Sequence, residues 1–215
     1  TSNTAKVQSI ATIGSFATAP SLPVARSGGP MFSVGSTSAA VLSVGSNPAG
    51  PPPDYTTRTE VYDGTSWTQG NSITTAARNS VASGGSSSAG KMVGGFSGTT
   101  GGDNTVEDYD GTCFSSAPVA PKGTEAAAGF GTQTAMVVSA GGPITPAPQT
   151  TMEWNGSSWS TTNNLGRNAQ GGASSGIITA GLFSGGFKNY PGTVVTTESS
   201  SYDGSCWTAN NAMNT

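Results

Sequence analysis

Histidine is absent from all 215 residues, charged side chains make up only 9% of them, and cysteine occurs just twice. Without histidine there is no imidazole general base, no His-dependent triad and no histidine-ligated metal. The charge content lies far below the ~25% of an ordinary soluble domain, so hydroxyls and backbone must carry solubility. With a formal charge of -3 and no basic stripe, nucleic acid is an unsuitable partner. No run approaches the ~18 consecutive apolar residues of a spanning helix, and the N-terminus lacks the basic-then-apolar order of a signal peptide. A soluble protein, or a member of a soluble assembly without membrane insertion, is expected. Apolar residues at three- and four-residue spacing are missing too, which excludes long amphipathic helices.

What is there is glycine, 32 residues of it, with serine and threonine throughout. Such a composition also suits disorder, but short apolar clusters argue for order. Val41-Leu42-Ser43-Val44, Ala135-Met136-Val137-Val138 and Ile177-Ile178-Thr179-Ala180 read as strands separated by Gly, Pro and Ser turns.

A repeat organises these strands. Tyr62-Asp63-Gly64-Thr65-Ser66-Trp67 recurs as Tyr109-Asp110-Gly111-Thr112-Cys113-Phe114, Trp154-Asn155-Gly156-Ser157-Ser158-Trp159 and Tyr202-Asp203-Gly204-Ser205-Cys206-Trp207. The copies start at 62, 109, 154 and 202, hence 47, 45 and 48 residues apart. Asp-Gly or Asn-Gly between strands predicts a two-residue hairpin turn, because both residues tolerate positive φ. The flanking aromatics are suited to fill the space between neighbouring sheets. A glycine pair closes an apolar strand at Gly94-Gly95, Gly141-Gly142 and Gly185-Gly186, with Gly45-Ser46 as a weakened copy. A basic residue stands upstream of each, at Arg26, Arg78, Lys122 and Arg167.

Basic residue, diglycine, then aromatic-Asp-Gly and Trp resembles the kelch repeat over about residues 16–215. The resemblance implies an all-β, kelch-like β-propeller of four-stranded antiparallel blades. Residues 1–15 read as an N-terminal extension or degenerate strands. Units follow at about 16–66, 67–113, 114–158 and 159–207, with the start of a further unit to 215. The ring is either a compact four-blade one or part of a larger one, the chain having no initiator Met and stopping where the next basic residue is due. In the second unit the strands are expected near Asn79–Ala82, Lys91–Gly94, Thr105–Tyr109 and Thr112–Phe114, the first innermost.

The resemblance also puts the variable loops, Asn47–Thr57, Ser97–Asn104, Pro143–Gln149 and Phe187–Thr193, on one face, where binding concentrates. Tyr55, Asp103, Lys188 and Tyr190 are the candidate contacts there, tolerance of insertion being the alternative use of such loops. The repeat residues Trp67, Phe114, Trp159, Trp207, Tyr62, Tyr109, Trp154 and Tyr202 are expected to be structural, as are Gly64, Gly111, Gly156 and Gly204. Asp63, Asp110 and Asp203 read as turn formers rather than calcium ligands. The basic residues are expected to pair with Glu60, Glu107, Glu153 or Glu198. Cys113 and Cys206 replace the repeat's serine, two blades apart, and read as free thiols. No catalytic residue, metal or cofactor is expected. The kelch-fold copper oxidases need histidine ligands, and no carboxylate pair stands out for hydrolysis.

Near-regular Tyr-Asp-Gly-Thr-Ser-Trp units in a Ser/Thr/Gly-rich, low-charge chain are similar to kelch-like virion proteins of tailed bacteriophages, marine ones especially. This resemblance implies a non-enzymatic tail or fibre appendage, located on the extracellular particle. It would partner other virion proteins or itself and bind a host-surface glycan, or decorate the particle. A cellular or secreted kelch-type protein-binding scaffold, cytoplasmic or extracellular, is the alternative, and a polysaccharide hydrolase a third reading.

Overall fold

The structure, a computed structural model, describes residues 19–32, 38–47, 55–74, 85–97, 102–142, 149–188 and 194–213. The described residues form strands and turns without a helix. Their first sheet is β1 (Met31–Phe32), β2 (Ala40–Ser43), β3 (Thr59–Tyr62) and β4 (Trp67–Gln69); the second is β5 (Gly85–Ser86), β6 (Ala89–Val93), β7 (Val106–Tyr109) and β8 (Phe114–Ala117). The third holds β9 (Ala128–Gly131), β10 (Met136–Ser139), β11 (Thr151–Trp154) and β12 (Trp159–Thr162). The fourth holds β13 (Ala173–Ile177), β14 (Ala180–Ser184), β15 (Ser199–Tyr202) and β16 (Trp207–Ala209). Each sheet is antiparallel with its strands in chain order, and the four are successive blades of a β-propeller.

The expected first strand of the second blade, Asn79–Ala82, lies outside the described residues, and the first described strand of that blade is β5. The fourth strand starts at Phe114 rather than Thr112, because Thr112 and Cys113 belong to the turn. That turn also differs from the expected one. Tyr62 pairs with Trp67 and Tyr109 with Phe114, so the residues between them make a longer loop than a two-residue hairpin. Of the Asp-Gly pair only the glycine takes positive φ, 93° at Gly64 and 99° at Gly111. The aspartate works through its carboxylate. Asp110 Oδ1 accepts the N–H groups of Thr112 and Cys113, both at 2.8 Å, and Asp63, Asn155 and Asp203 do the same in their own turns.

The glycine pair is also placed by geometry rather than by letter. Strand register aligns Gly94-Gly95 and Gly185-Gly186 with Val44-Gly45 and Ala140-Gly141, one residue earlier than the sequence suggests for the first and third blades. All eight residues have positive φ, including Val44 at 52° and Ala140 at 62°. The second blade needs glycine most strictly, since a Cβ on Gly94 would lie 2.2 Å from Thr124 Oγ1.

Because side chains alternate across a strand, every blade has one face toward the preceding blade and one toward the following blade. Met92 and Tyr109 of the second blade pack back on Val41, Val44 and Ile73 of the first. Met136, Val138, Met152 and Trp154 of the third pack on Val93, Val106 and Ala120 of the second. Tyr202 and Phe183 of the fourth meet Phe130, Val137, Ala128 and Leu165 of the third. Burying an aliphatic or aromatic side chain fully contributes about 1.5–3 kcal/mol, so these seams are the main source of cohesion. Lys91, fully buried, stands at the register position of Val41 and Val137. Its ammonium lies 2.5 Å from Asp108 Oδ1 and 4.5 Å from the centre of the Trp154 ring.

Candidate recognition face

Antiparallel order sends the second-to-third-strand connections and the links between blades to the same end of each sheet. Backbone bonds stitch the two kinds of loop together there. Gly95 N donates to Thr124 O at 2.8 Å, Thr124 N to Asp103 O at 2.9 Å, and Asp103 N to Gly95 O at 2.8 Å. In the fourth blade Phe187 N donates to Gln170 O at 2.8 Å and Thr196 N to Gly186 O at 3.0 Å. The connections differ from blade to blade, spanning 44–58, 94–105, 140–150 and 185–198.

Beneath this surface the upstream basic residues hold the positive-φ turns. Arg26 Nη1 donates to Val44 O at 3.1 Å and Arg58 O at 2.9 Å, while its Nη2 pairs with buried Glu60, which also receives Arg58 Nε. Arg167 donates to Gly185 O at 3.3 Å and Phe183 O at 3.4 Å, lies over the Phe183 ring at 4.8 Å and reaches Glu198 at 3.9 Å. Burial lowers both guanidinium pKa values, and the facing carboxylates oppose that shift. Lys122 is likewise lowered by burial, without an ion pair among the described residues. Arg78 lies outside the described residues.

The four glutamates expected as partners are not equivalent. Glu60 and Glu198 do meet arginines. Glu107 instead accepts from Thr74 N at 3.2 Å and from the Thr74 hydroxyl, and Glu153 accepts the Tyr202 phenol. Both reach across a seam, Glu107 to the preceding blade and Glu153 to the following one. Burial, and then the Glu153 contact, pushes the Tyr202 phenol up to about 12.

Of the candidate contacts, Tyr55, Asp103 and Lys188 lie at the loop-bearing end, on three different blades. Tyr55 is half-buried and sets its ring edge-on to Phe96 of the next blade, centroids 5.8 Å apart, which makes it an interblade packing residue. Asp103 is tied by its backbone to Gly95 and Thr124. Lys188 is partly exposed and pairs with Glu198 at 2.8 Å, holding that carboxylate below its usual range. Tyr190 lies outside the described residues.

The repeat aromatics stack in pairs across each hairpin, Tyr62 with Trp67 at 5.0 Å, Tyr109 with Phe114 at 4.8 Å, Trp154 with Trp159 at 5.4 Å and Tyr202 with Trp207 at 4.9 Å. Trp159 Nε1 donates to Pro118 O and Trp207 Nε1 to Thr151 Oγ1, each at 2.9 Å and each in the preceding blade. Sequence reasoning missed a second set of interblade ties. Asn71 Nδ2 donates to Thr112 O at 3.1 Å beside Cys113 Sγ, and Asn163 Nδ2 to Ser205 O at 2.9 Å beside Cys206 Sγ. Gln133 Nε2 reaches Gly90 O at 3.0 Å and Tyr109 O at 2.9 Å. The one available signal was that Asn71 and Asn163 both stand four residues after the repeat tryptophan. Both cysteines are exposed and free.

No protein-family model matches the chain, and no curated protein sequence matches it. Among solved structures it is similar to one titled "Structure of YjhT", with a TM-score of 0.70, 13% identity, and 88% of this chain and 70% of that chain covered. At that identity the likeness is one of fold, the β-propeller.

Proposed function

We propose that this propeller is a non-enzymatic virion structural or adhesion protein, a tail or fibre appendage whose loop-bearing end recognises a host-surface glycan or decorates the particle. The observation that carries this reading is the division of labour within the repeat. Aspartates cap turns, arginines hold strand ends, and the repeat aromatics stack across hairpins, while the connections at one end vary from blade to blade. A scaffold that repeats and loops that do not is the layout of a binding surface. Low charge with abundant hydroxyls and amides suits a neutral sugar, and the repeat's resemblance to kelch-like phage proteins supplies the virion context. Lys188, partly exposed and held by Glu198, is the described candidate side chain we assign to contact.

The test is a binding screen of the 215-residue chain against surface polysaccharides extracted from a panel of marine bacteria. Saturable binding without shortening of the polymer, weakened in Lys188→Ala and Lys188→Glu, is expected. Binding to none of the polymers, or their depolymerisation, overturns the reading.

A further inference from the structure

Each seam between blades reuses the same register positions, and the two outer blades carry that interface with nothing against it among the described residues. Val41, Lys91 and Val137 face the following blade and are buried; Leu182, at the same position in the fourth blade, is 45% exposed. Ile177 projects from the same face and is 57% exposed. Ile73, Ala120 and Leu165 are buried in successive seams, each donating its N–H back to the connection before its blade's third strand; Met213 makes the equivalent bond to Thr197 O yet is 43% exposed. Tyr55 packs on the next blade's Phe96, whereas its bridge equivalent Val195 is 71% exposed. Strand β14 shows the consequence directly. Gly181 and Phe183, facing the third blade, are buried, while Ala180 and Leu182 on the other face are exposed.

The first blade carries the other half. Tyr109, Trp154 and Tyr202, and likewise Met92, Val138 and Phe183, are buried against the blade before them, but their respective counterparts in the first blade, Tyr62 and Leu42, are only partly covered. Met31, paired with Leu42 and so on the same face, is 53% exposed. Were the fourth blade packed on the first within one chain, both faces would be covered.

We propose that the following-blade face of the fourth blade docks a second copy of this chain through the preceding-blade face of that copy's first blade, continuing the seam that the molecule already builds between its own blades. Leu182 takes the place of Val137 against Tyr62, and Met213 the place of Leu165 against Leu42. Asn211, four residues after Trp207 and exposed, matches Asn71 and Asn163 and meets the carbonyl of Thr65, the turn residue equivalent to Thr112 and Ser205. The contact is head to tail, so two copies that close on each other complete a ring of eight blades, within the usual range of propellers.

The test is mass measurement by light scattering on the 215-residue chain, from dilute protein to about 100 μM, where an interface with a Kd of ~1 μM is nearly saturated. A species of twice the 21.2 kDa chain mass, or a longer series of multiples, is expected. Leu182→Arg and Met31→Arg, both at exposed positions, are each expected to weaken association at least ~100-fold, because each places an unpaired charge in the seam. Since the two changes lie on opposite halves of a head-to-tail contact, mixing the variants restores a dimer, with far-UV circular dichroism showing that each is folded. A chain that stays at 21.2 kDa throughout, or association that survives both substitutions, overturns the proposal.

Discussion

Asp63, Asp110 and Asp203 each hold two backbone N–H groups, and those bonds keep the carboxyls below their ordinary range. A carboxylate depressed on folding stabilises the native state above its unfolded pKa of ~3.9, and that contribution is lost as pH falls through the lower folded value. Asn155 makes the same two bonds without a titrating proton, at 3.0 and 2.9 Å. Asp110→Asn is therefore expected to keep the melting temperature near the parent's at neutral pH, and Asp110→Ala to lower it. A chain with asparagine at all three positions should lose less melting temperature on acidification from pH ~5 to ~2 than the parent does. Tyr202 gives the opposite limb. Its phenol is raised from 10.0 to about 12, so the stabilisation is complete below pH 10 and fades as pH rises toward the folded value. Tyr202→Phe should flatten that alkaline loss in pH-dependent chemical denaturation.

Adjacent residues of β14 answer to different neighbours, and their substitutions separate accordingly. Phe183→Ala empties a seam position and should cost about 3–5 kcal/mol, whereas Leu182→Ala at a solvent-facing position should stay within ~0.5 kcal/mol in dilute protein by urea denaturation. The hairpin positions were legible from the repeat, because aromatic-Asp-Gly recurs with little drift. The β14 alternation was not, since the apolar run Ile177-Ile178-Thr179-Ala180, expected as one strand, instead holds the Ile178-Thr179 turn between β13 and β14. The turn geometry was not, since an aspartate beside glycine favours either a positive-φ pair or a side-chain cap, and only strand register decides. The strand-end pair was misplaced in two blades because Val44 and Ala140 adopt a conformation usually left to glycine. Lys91 was unreadable as a seam residue, because its letter suggests a solvated face while Asp108 and Trp154 supply its counter-charge and cover. Among the loop candidates Tyr55 shows the converse: variability of its connection hid a packing role that only the Phe96 contact discloses.

Across the whole chain, cohesion is a sum over nearest neighbours, as in linear repeat arrays. The second and third blades have two seams each and the first and fourth only one described seam, so local opening should be easiest at the ends. Hydrogen exchange on dilute protein is expected to show β6 and β10 as the slowest strands and β14 as markedly faster; equal protection of all three would contradict nearest-neighbour stability. The individual seams also differ in chemistry. The first joins Val41 to Met92 and Tyr109, the second sets a lysine against tryptophan, and the third joins Phe130 to the rings of Tyr202 and Trp207. Tandem copies of one template otherwise face a sorting problem during folding, since any blade offers its neighbour's shape to every other. Lys91 carries its carboxylate, Asp108, within its own blade but meets an indole only at Trp154, where the other blades hold tyrosine, so the pair works as an address label that a mis-ordered blade would satisfy less well.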